Sequence, residues 1–239
     1  MQYIKIKDTI VEQIQSGLLA AGTKLPSERK LAESFKTTRV TLREALSLLE
    51  AEGVIFREDR RGWFIAEHPL QLDLTSAYHI HAVAQAQGKS ASTEVVVAKT
   101  LMANKEAAEK MALPPFSDIH HIVRTHLVDG RPVMYAIHYV RADSTPSLLD
   151  HDLSQDLSVI FNTTFQLRFA QCTYGVSSTS FDKEIAQALR ATAGAPALLI
   201  ARTHTDIDGV VQEVVLEHWR HNAVALNVSA GFSLYTQTT

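Results

Sequence analysis

The sequence is poor in features that define whole classes of protein. Its 239 residues include a single cysteine, Cys172, which excludes an intrachain disulfide and a zinc site made of several cysteines. No apolar run approaches the roughly 20 residues of a membrane-spanning helix. The first residues also lack the long apolar stretch of a signal peptide. These absences favour a protein of the reducing cytoplasm without a membrane partner.

Common catalytic motifs are absent as well. The chain contains no P-loop, no G-x-G-x-x-G, no G-x-S-x-G and no H-E-x-x-H. Ten of the eleven histidines follow residue 78, but the closely spaced pairs among them lack a strong metal-ligand spacing. No base is evident beside Cys172, which we interpret as a core residue. We therefore expect no enzyme, no metal and no cofactor.

Charge is unevenly distributed along the chain. The formal net charge is −3, from 23 basic and 26 acidic residues. Residues 1–68 hold 11 basic and 10 acidic residues, whereas the remainder holds 12 and 16. Six of the basic residues lie between Lys24 and Arg43. Such a basic segment indicates either a phosphate-facing patch or an ordinary solvated helix face.

Three helices are predicted near the start of the chain. An isoleucine every four residues predicts the first over 3–16. Ser27 is a good N-cap for a second, short helix, and Thr37 or Thr38 can begin a third that ends at Gly53. The apolar residues of the third helix have spacings that place them on one buried face. They are Leu42, Ala45, Leu46 and Leu49.

A hairpin with a charged tip follows the third helix. Val54–Phe56 and Trp63–Ile65 are short β-prone runs on either side of the charged segment 57–62. Three helices followed by a hairpin is the layout of a winged helix-turn-helix, which we place at residues 1–68. The weakly patterned segment 69–77 is interpreted as a linker, and 78–239 as a second domain.

The third helix carries a cationic face. Arg39 and Arg43 are four residues apart and therefore share a face, with Thr38 at the start of the helix. Such a helix suits the major groove, where arginine forms bidentate bonds with guanine and free amides meet phosphate. An ordinary solvated helix would look similar. The short preceding helix and the hairpin tip at Arg61 and Gly62 favour the DNA-binding interpretation.

Three motifs in this domain have a specific pattern. They are Leu25-Pro26-Ser27-Glu28-Arg29-x-Leu31-Ala32, Thr38-Arg39-x-Thr41-Leu42-Arg43-x-Ala45-Leu46 and Leu49-x-x-x-Gly53. Together they resemble the DNA-binding domain of GntR-family bacterial transcriptional regulators. The resemblance implies double-stranded operator DNA as a partner. The DNA contacts that it implies are Arg29, Thr38, Arg39, Thr41 and Arg43, with Arg61 and Gly62 at the wing tip.

The second half of the chain predicts an α+β domain with an antiparallel sheet. Asp129-Gly130 and Asp208-Gly209 are strong hairpin signals, since Asp-Gly supplies positive φ at low cost. The predicted strands are Glu94–Leu101, Ile119–Val128, Pro132–Val140, Gln166–Val176, Ala197–Thr205 and Val210–Trp219. The predicted helices are Lys105–Leu113, capped by Asn104, and Phe181–Thr192, capped by Thr179 or Ser180.

Two-residue loops at these Asp-Gly pairs would bring polar side chains together across each hairpin. Arg124 would lie opposite Tyr135, and His204 opposite Glu213. Such groups form a ligand site, an internally paired cluster or a solvated outer face, and the sequence leaves all three open. The residues concerned are Arg124, His126 and Tyr135 on the first hairpin, and Arg202, His204, Glu213 and Glu217 on the second.

The second domain carries a resemblance of its own. R-x-H-x-x-D-G-R-P at 124–132, Pro196-Ala197-Leu198-Leu199 and Asp208-Gly209-x-x-x-Glu213 follow one another in that order. They resemble the UTRA effector-binding domain of the HutC subfamily of GntR regulators, which has a chorismate-lyase-like α+β fold. In that domain the first hairpin often supplies two arginines for an anion. Here Arg124 is kept and His126 takes the second position. Ile137 stands near a common acidic position, and Glu213 matches a later one.

Segments 59–64 and 217–221 resemble regulators of phosphonate utilisation, such as 2-aminoethylphosphonate uptake and breakdown. We therefore expect a ligand-responsive repressor that acts as a homodimer on operator DNA and binds a small anionic effector. A sugar phosphate or a urocanate-like acid is the alternative effector. A lyase-like enzyme and a ligand-independent DNA-binding scaffold are the alternative functions. The expected effector-binding residues are Arg124, His126, Tyr135, Glu213 and Glu217.

Overall fold

The N-terminal domain consists of three helices and a two-stranded hairpin. The computed structural model describes residues 1–229 of the chain. Its first elements confirm the winged helix-turn-helix layout. They are α1 (Gln2–Gln15), α2 (Glu28–Ser34), α3 (Arg39–Ala51), β1 (Ile55–Glu58) and β2 (Gly62–Ile65).

Polar caps begin α2 and α3 as the sequence predicted. Ser27 Oγ accepts a hydrogen bond from the Lys30 N–H at 3.4 Å, and Thr38 Oγ1 accepts one from the Thr41 N–H at 3.2 Å. The predicted apolar face of α3 packs against α1 and the hairpin, and its burial holds the three helices together. Its four side chains, each 0% exposed, are Leu42, Ala45, Leu46 and Leu49.

The tip of the β1–β2 hairpin, which we call the wing, requires a glycine. The strands pair from Ile55 and Ile65 to Glu58 and Gly62. Gly62 has a φ of +105°, a value that glycine adopts without the clash of a Cβ. A Cβ there would also lie 3.3 Å from Lys24 Cε. Backbone conformation and the approach of Lys24 therefore both select glycine at this position.

Residues 69–77, which the sequence predicted to be a linker, contain a strand. β3 (Leu70–Asp73) pairs in parallel with β10 (Val224–Asn227). Only two apolar residues of β3, Leu70 and Leu72, alternate with polar ones, which is too short a pattern to predict a strand. The partner strand lies near the other end of the described chain, so the local sequence does not indicate the pairing. The boundaries 1–68 and 78–239 stay a prediction, and residues 230–239 of the second lie outside the described part.

Six antiparallel strands form the sheet of the second domain, in the order β4-β5-β6-β9-β8-β7. This arrangement confirms the predicted α+β class, and Asn104 caps α5 as expected. The strands are β4 (Ala91–Met102), β5 (Asp118–Val128), β6 (Arg131–Arg141), β7 (Phe169–Ser180), β8 (Pro196–Asp206) and β9 (Val211–Arg220). The helices are α4 (Ile80–Ala86), α5 (Lys105–Met111), α6 (Leu157–Thr164) and α7 (Lys183–Ala188), with a 3₁₀ turn at Leu148–Asp150.

Two elements, β7 and α7, begin more than one residue later than the sequence predicted. β7 starts at Phe169 rather than Gln166, whose φ of +54° interrupts the extended backbone. The strand then runs on to Ser180, so Thr179 and Ser180 belong to the sheet and do not cap α7. Asp182 takes that role, and its side chain accepts a hydrogen bond from an N–H of the first turn at 2.8 Å.

The β5–β6 hairpin has the predicted two-residue loop but a different register beyond it. Asp129-Gly130 adopts positive φ values of 50° and 77°, as a tight hairpin loop requires. A β-bulge then leaves Val133 without a partner on β5. Arg124 therefore lies opposite Ala136, and Tyr135 turns to the other face of the sheet. The prediction that Arg124 and Tyr135 share a face was wrong.

The β8–β9 hairpin differs in its loop but keeps the predicted pairing. Its loop has three residues, 207–209, instead of two. An extra residue in β9, Gln212, then restores the register. His204 therefore lies opposite Glu213, as the sequence predicted.

Helices pack on both faces of the sheet. Ile185 of α7 and Met111 of α5 pack on one face within apolar clusters. The opposite face packs against β3 and α4 near Trp219, and against α6 near Ile122. Between these two packed regions the sheet borders an open space, and the polar side chains of both hairpins face it.

Candidate DNA-binding surface and ligand cavity

The exposed face of α3 gathers most of the predicted DNA contacts. Arg39 and Arg43 point to solvent, and the Thr38 and Thr41 hydroxyls lie 3.1 Å apart at the start of the helix. Sequence reasoning missed Val40, which lies on the same face and is 70% exposed. An exposed β-branched side chain beside two arginines suits contact with a thymine methyl group. The surface can therefore combine apolar and cationic contacts with DNA.

Glu28 ties α2, α3 and the wing together. Its carboxylate accepts hydrogen bonds from Arg43 Nε at 2.8 Å and from Trp63 Nε1 at 3.2 Å. Partial burial acts to raise the pKa of Glu28, but the bonds from Arg43 and Trp63 lower it below its ordinary value. Arg29 forms only an exposed ion pair with Glu33, at 3.0 Å. Such a pair is weak, so phosphate can replace Glu33 at low cost.

The wing tip presents one fully exposed arginine and one that is partly committed. Arg61 is paired with the buried carboxylate of Glu58 and lies over the Phe64 ring at 5.3 Å. Arg60, which the motif did not single out, has a side chain that is 93% exposed. Gly62 lies beside them and keeps the tip narrow. Arg60 is therefore the more available cation at the tip.

The wing also contacts the second domain. The guanidinium of Arg131 lies 3.4 Å from the centre of the Phe56 ring, and that of Arg220 lies 5.6 Å from it. The Asp59 N–H donates a hydrogen bond to the Arg190 carbonyl at 3.1 Å. Arg131 and Arg220 stand at the ends of β6 and β9, two strands that also line the open space on the sheet. The first domain is thus attached to the ends of those strands.

The open space is a cavity of about 600 Å³. The sheet lines one side, and the segment 74–81, which follows β3, lines another together with the start of α6. The two hairpin faces meet in this single cavity because β6 pairs with β9. Its buried or largely buried ionisable side chains are Tyr78, Arg124, His126, His138, Arg202, His204, Glu213 and Glu217.

Tyr135, predicted to bind the effector, does not line the cavity. The bulge at Val133 turns it to the opposite face, where its hydroxyl donates a hydrogen bond to Glu184 Oε1 at 2.8 Å. Burial and the neighbouring Glu184 carboxylate raise the pKa of Tyr135. Its role is to join the sheet to α7, and the prediction that it contacts the effector is corrected accordingly.

Glu213 joins two histidines of the cavity. Its oxygens accept hydrogen bonds from His138 Nδ1 at 2.8 Å and His204 Nδ1 at 2.7 Å. Burial alone would raise the pKa of Glu213, but these bonds hold it well below its usual range. Burial and the nearby Arg124 charge lower the pKa of His138 to about 4, so that ring is neutral at pH 7.

His204 is the charged member of the histidine pair. Burial opposes its protonation, but hydrogen bonding to Cys172 and Glu213 raises its pKa to about 9. Cys172 lies opposite it in the β7–β8 ladder. The thiol pKa, which burial acts to raise, is lowered by the bond to His204. No base for Cys172 is evident in the sequence because His204 lies on the next strand of the sheet, far along the chain.

Arg124 is largely engaged by the protein. Nε and Nη2 donate to His138 Nε2 at 3.2 and 3.1 Å, and Nη1 donates to the carbonyls of Leu153 and Gln155 at 3.3 and 3.0 Å. The bond into His138 Nε2 assigns the ring proton to Nδ1, which donates to Glu213. Burial lowers the pKa of Arg124 to about 10, so it remains cationic at neutral pH.

His126 belongs to a hydrogen-bonded chain at the edge of the cavity. The Thr93 hydroxyl lies 2.8 Å from His126 Nδ1 and 2.8 Å from His81 Nε2. Burial and the charge of Arg124 hold the pKa of His126 well below its usual value. His126 is therefore a neutral polar group and not an anion-binding cation.

Glu217 and Arg202 connect the sheet to the segment 74–81, which follows β3. Tyr78 of that segment donates its hydroxyl hydrogen to Glu217, and Trp219 Nε1 donates to the same oxygen at 2.9 Å. Arg202 Nη2 lies 2.8 Å from the other oxygen, and the Arg202 guanidinium lies 4.9 Å from the Tyr78 ring centre. Tyr78 stacks in turn against Tyr174. The cavity wall is thus formed partly by the segment that leads to the first domain.

Within residues 1–229, no helix combines the length and apolar content needed to cross a membrane. In the same part of the chain, no three His, Cys, Asp or Glu side chains are grouped so as to hold a metal ion.

Two family models match the chain. The model for bacterial regulatory proteins of the gntR family matches residues 2–65, and the model for the UTRA domain matches residues 86–225. The first match contains the exposed face of α3, and the second contains most of the polar side chains of the cavity.

Similar proteins support both matches. The HTH-type transcriptional regulator YihL of Escherichia coli K12 is 27% identical over 224 residues, covering 93% of this chain and 95% of that protein. The HTH-type transcriptional repressor NagR of Bacillus subtilis strain 168 is 25% identical over 201 residues, covering 84% and 83%. The crystal structure of PhnF from Mycobacterium smegmatis has the same fold. Its TM-score is 0.67 at 22% identity, over 95% of this chain and 100% of that one.

Proposed function

We propose that this chain, which belongs to the gntR family of bacterial regulatory proteins and carries a UTRA domain, is a repressor released from operator DNA by a small anionic effector. As a member of that family it is a DNA-binding transcription regulator and not an enzyme. We assign it to the HutC subfamily, and NagR, one of its relatives, is likewise named a repressor.

In the proposed complex, α3 enters the major groove of DNA and the wing contacts the DNA beside it. Arg39 and Arg43 are exposed at the end of α3 where the backbone amides favour phosphate. Arg29 can exchange its exposed ion pair for a backbone contact. We propose as the full set of contacts Arg29, Thr38, Arg39, Thr41, Arg43, Arg61 and Gly62.

The cavity on the sheet is the observation that carries the effector proposal. It is large enough for a small metabolite and contains two largely buried arginines with a protonated histidine. Buried cations in a cleft favour a ligand with a negative charge, since the low dielectric strengthens their attraction. The proposed effector site therefore includes Arg124, His126, Glu213 and Glu217, without Tyr135.

A phosphonate such as 2-aminoethylphosphonate is the effector that we favour, on the resemblance of segments 59–64 and 217–221 to regulators of phosphonate utilisation. A sugar phosphate or a urocanate-like acid is the alternative, since each offers an anionic group of similar size. These ligands share the oxoanion and differ in the remainder of the molecule.

A homodimer in the cytoplasm is the proposed working form. One winged helix covers a short stretch of DNA, so tight specific binding calls for two half-sites. The second domain would supply most of the contact between subunits, since the first is small and faces DNA.

Fluorescence anisotropy with an operator fragment from the protein's own promoter region tests the proposal. Wild-type protein should bind at fixed salt and be released by one of the phosphonates, sugar phosphates or urocanate-like acids. Arg39→Ala should weaken operator binding by roughly 10- to 100-fold, as expected for the loss of a bidentate base contact. It should still bind the effector in calorimetry.

Two results would contradict the proposal. Unchanged operator affinity in both Arg39→Ala and Arg43→Ala would remove α3 as the reading helix. Operator binding that none of the tested anions alters would favour a DNA-binding scaffold without an effector.

A further inference from the structure

The two arginines of the cavity differ in what they already bind. Arg124 donates four hydrogen bonds, which together engage all three nitrogens of its guanidinium. The acceptors are His138 and two main-chain carbonyls. A guanidinium has five N–H groups, so at most one remains for a ligand. Arg124 therefore has little capacity to hold an oxoanion unless those contacts break.

Arg202 has the opposite character. Its guanidinium donates no hydrogen bond to any residue of the described chain 1–229, and its buried Nε is without a partner there. Its contact with Glu217 brings two charged atoms to 2.8 Å without the alignment of a hydrogen bond. A buried donor without an acceptor is unfavourable, and a ligand oxygen beside it would remove that penalty.

The charges around Arg202 favour an anion over a cation. Among the buried or largely buried groups, Arg124, Arg202 and protonated His204 face two carboxylates, Glu213 and Glu217. The more exposed lining residues Arg168 and Asp156 add one charge of each sign, so one positive charge remains in excess. Both oxygens of Glu213 already accept hydrogen bonds from histidines. One oxygen of Glu217 accepts two hydrogen bonds, and the other lies beside Arg202. Three of the four carboxylate oxygens are thus hydrogen-bonded within the described residues, and the fourth, Glu217 Oε1, is held there only by the charge of Arg202.

We propose that Arg202 holds the oxoanion of the effector and that the cavity prefers an anionic group over a cation of similar size. The inference rests on the proposed effector function of the cavity and assigns the roles within it. His204 lies two residues from Arg202 on the same strand and the same face, so both cations border the site. Arg124 stays bound to His138 and to the 153–155 segment.

The position of Arg202 connects anion binding with the segment of the chain that joins the two domains. Its guanidinium lies over the ring of Tyr78, which belongs to the segment that runs from the DNA-binding domain into the sheet domain. An oxoanion bound by Arg202 competes with Glu217 for the same guanidinium. Glu217 is also the acceptor for the Tyr78 hydroxyl. Binding at Arg202 therefore acts directly on the contact that fixes this segment to the sheet.

Calorimetric titration of the full chain with inorganic phosphate and with methylphosphonate tests the assignment, with methylamine as the control for cation binding. Arg202→Gln should weaken binding of both anions on the order of 100-fold, as for loss of a charge-assisted bond. Arg202→Lys keeps the charge beside Glu217 and should weaken binding about 10-fold, since it lacks the planar array of donors. Arg124→Gln should lower the melting temperature and weaken anion binding less than Arg202→Gln does.

The outcomes separate this assignment from the function on which it rests. Wild-type protein that binds neither anion overturns both. If folded Arg202→Gln binds both anions with an affinity within about 3-fold of wild type, the assignment to Arg202 is wrong and the proposed function still stands. The same conclusion follows if folded Arg124→Gln loses as much anion affinity as folded Arg202→Gln. If circular dichroism shows Arg202→Gln to be unfolded, Arg202→Lys decides, and wild-type affinity in that variant refutes the role. Binding of methylamine comparable to that of the anions would refute the anion selectivity.

Discussion

Stability should fall as the pH rises from 7 to 9.5, and His204 should be the cause. Its folded-state pKa is raised from 6.5 to about 9. Its contribution is therefore complete below about pH 6.5 and is lost as the pH rises through about 9. A shift of this size corresponds to about 3 kcal/mol of unfolding free energy. The side chain is only 9% exposed, so solvent screening reduces this figure little.

Cys172 acts in the opposite direction. Its folded-state pKa is lowered, so its contribution grows as the pH rises and is complete above the ordinary thiol value. The net loss for the coupled pair is therefore smaller than that for His204 alone. We expect wild-type protein to lose about 1–3 kcal/mol more stability between pH 7 and 9.5 than His204→Gln does.

Urea unfolding at a series of pH values between 6.5 and 9.5, for wild type and His204→Gln, measures this difference. Lysines and tyrosines titrate in both proteins, so their effects cancel in the comparison. Cys172→Ser identifies the contribution of the thiol. Parallel stability curves for wild type and His204→Gln, or a wild type that gains stability with pH relative to the variant, would refute the reasoning.

Two further predictions follow from the packing. Leu46→Ala, at a position that is 0% exposed in the core of the first domain, should lower the unfolding free energy by about 2–5 kcal/mol in denaturant titration. Phe56→Leu keeps an apolar side chain but removes the ring beside Arg131 and Arg220. It should loosen the wing from the second domain, so the Asp59 amide exchanges hydrogen faster while the Thr41 amide in α3 does not.

The first domain was predictable because its signals are local. The cap at Thr38 and the apolar spacing from Leu42 to Leu49 lie within a few turns of helix, and the structure has both as the sequence predicted. The Val133 bulge was not predictable from alternation. One extra residue changes which face every later side chain occupies, and the Asp-Gly loop gives no sign of it. This single event accounts for the error at Tyr135.

The cavity was predictable only in part. The hairpin pairing placed His204 opposite Glu213, but no sequence pattern indicated that β6 would pair with β9 and join the two hairpin faces. The relation of Cys172 to His204 depends on a strand pairing with little local signal. The helices α4 and α6 were missed because, at seven and eight residues, each is too short for a helical period to stand out in the sequence. Their side chains complete the cavity, so its existence required the tertiary structure.

The parallel pairing of β3 with β10 determines the order in which parts of the chain can fold during synthesis. The core of the first domain uses residues between Ile6 and Ile65, so it can form once that stretch has left the ribosome. β3 follows at once in the chain, but its partner begins at Val224. At ordinary translation rates the delay is on the order of ten seconds. In a newly made chain the DNA-binding domain can therefore fold before β3, which connects it to the effector-binding domain, has a strand to pair with. During that interval the effector has no influence on DNA binding.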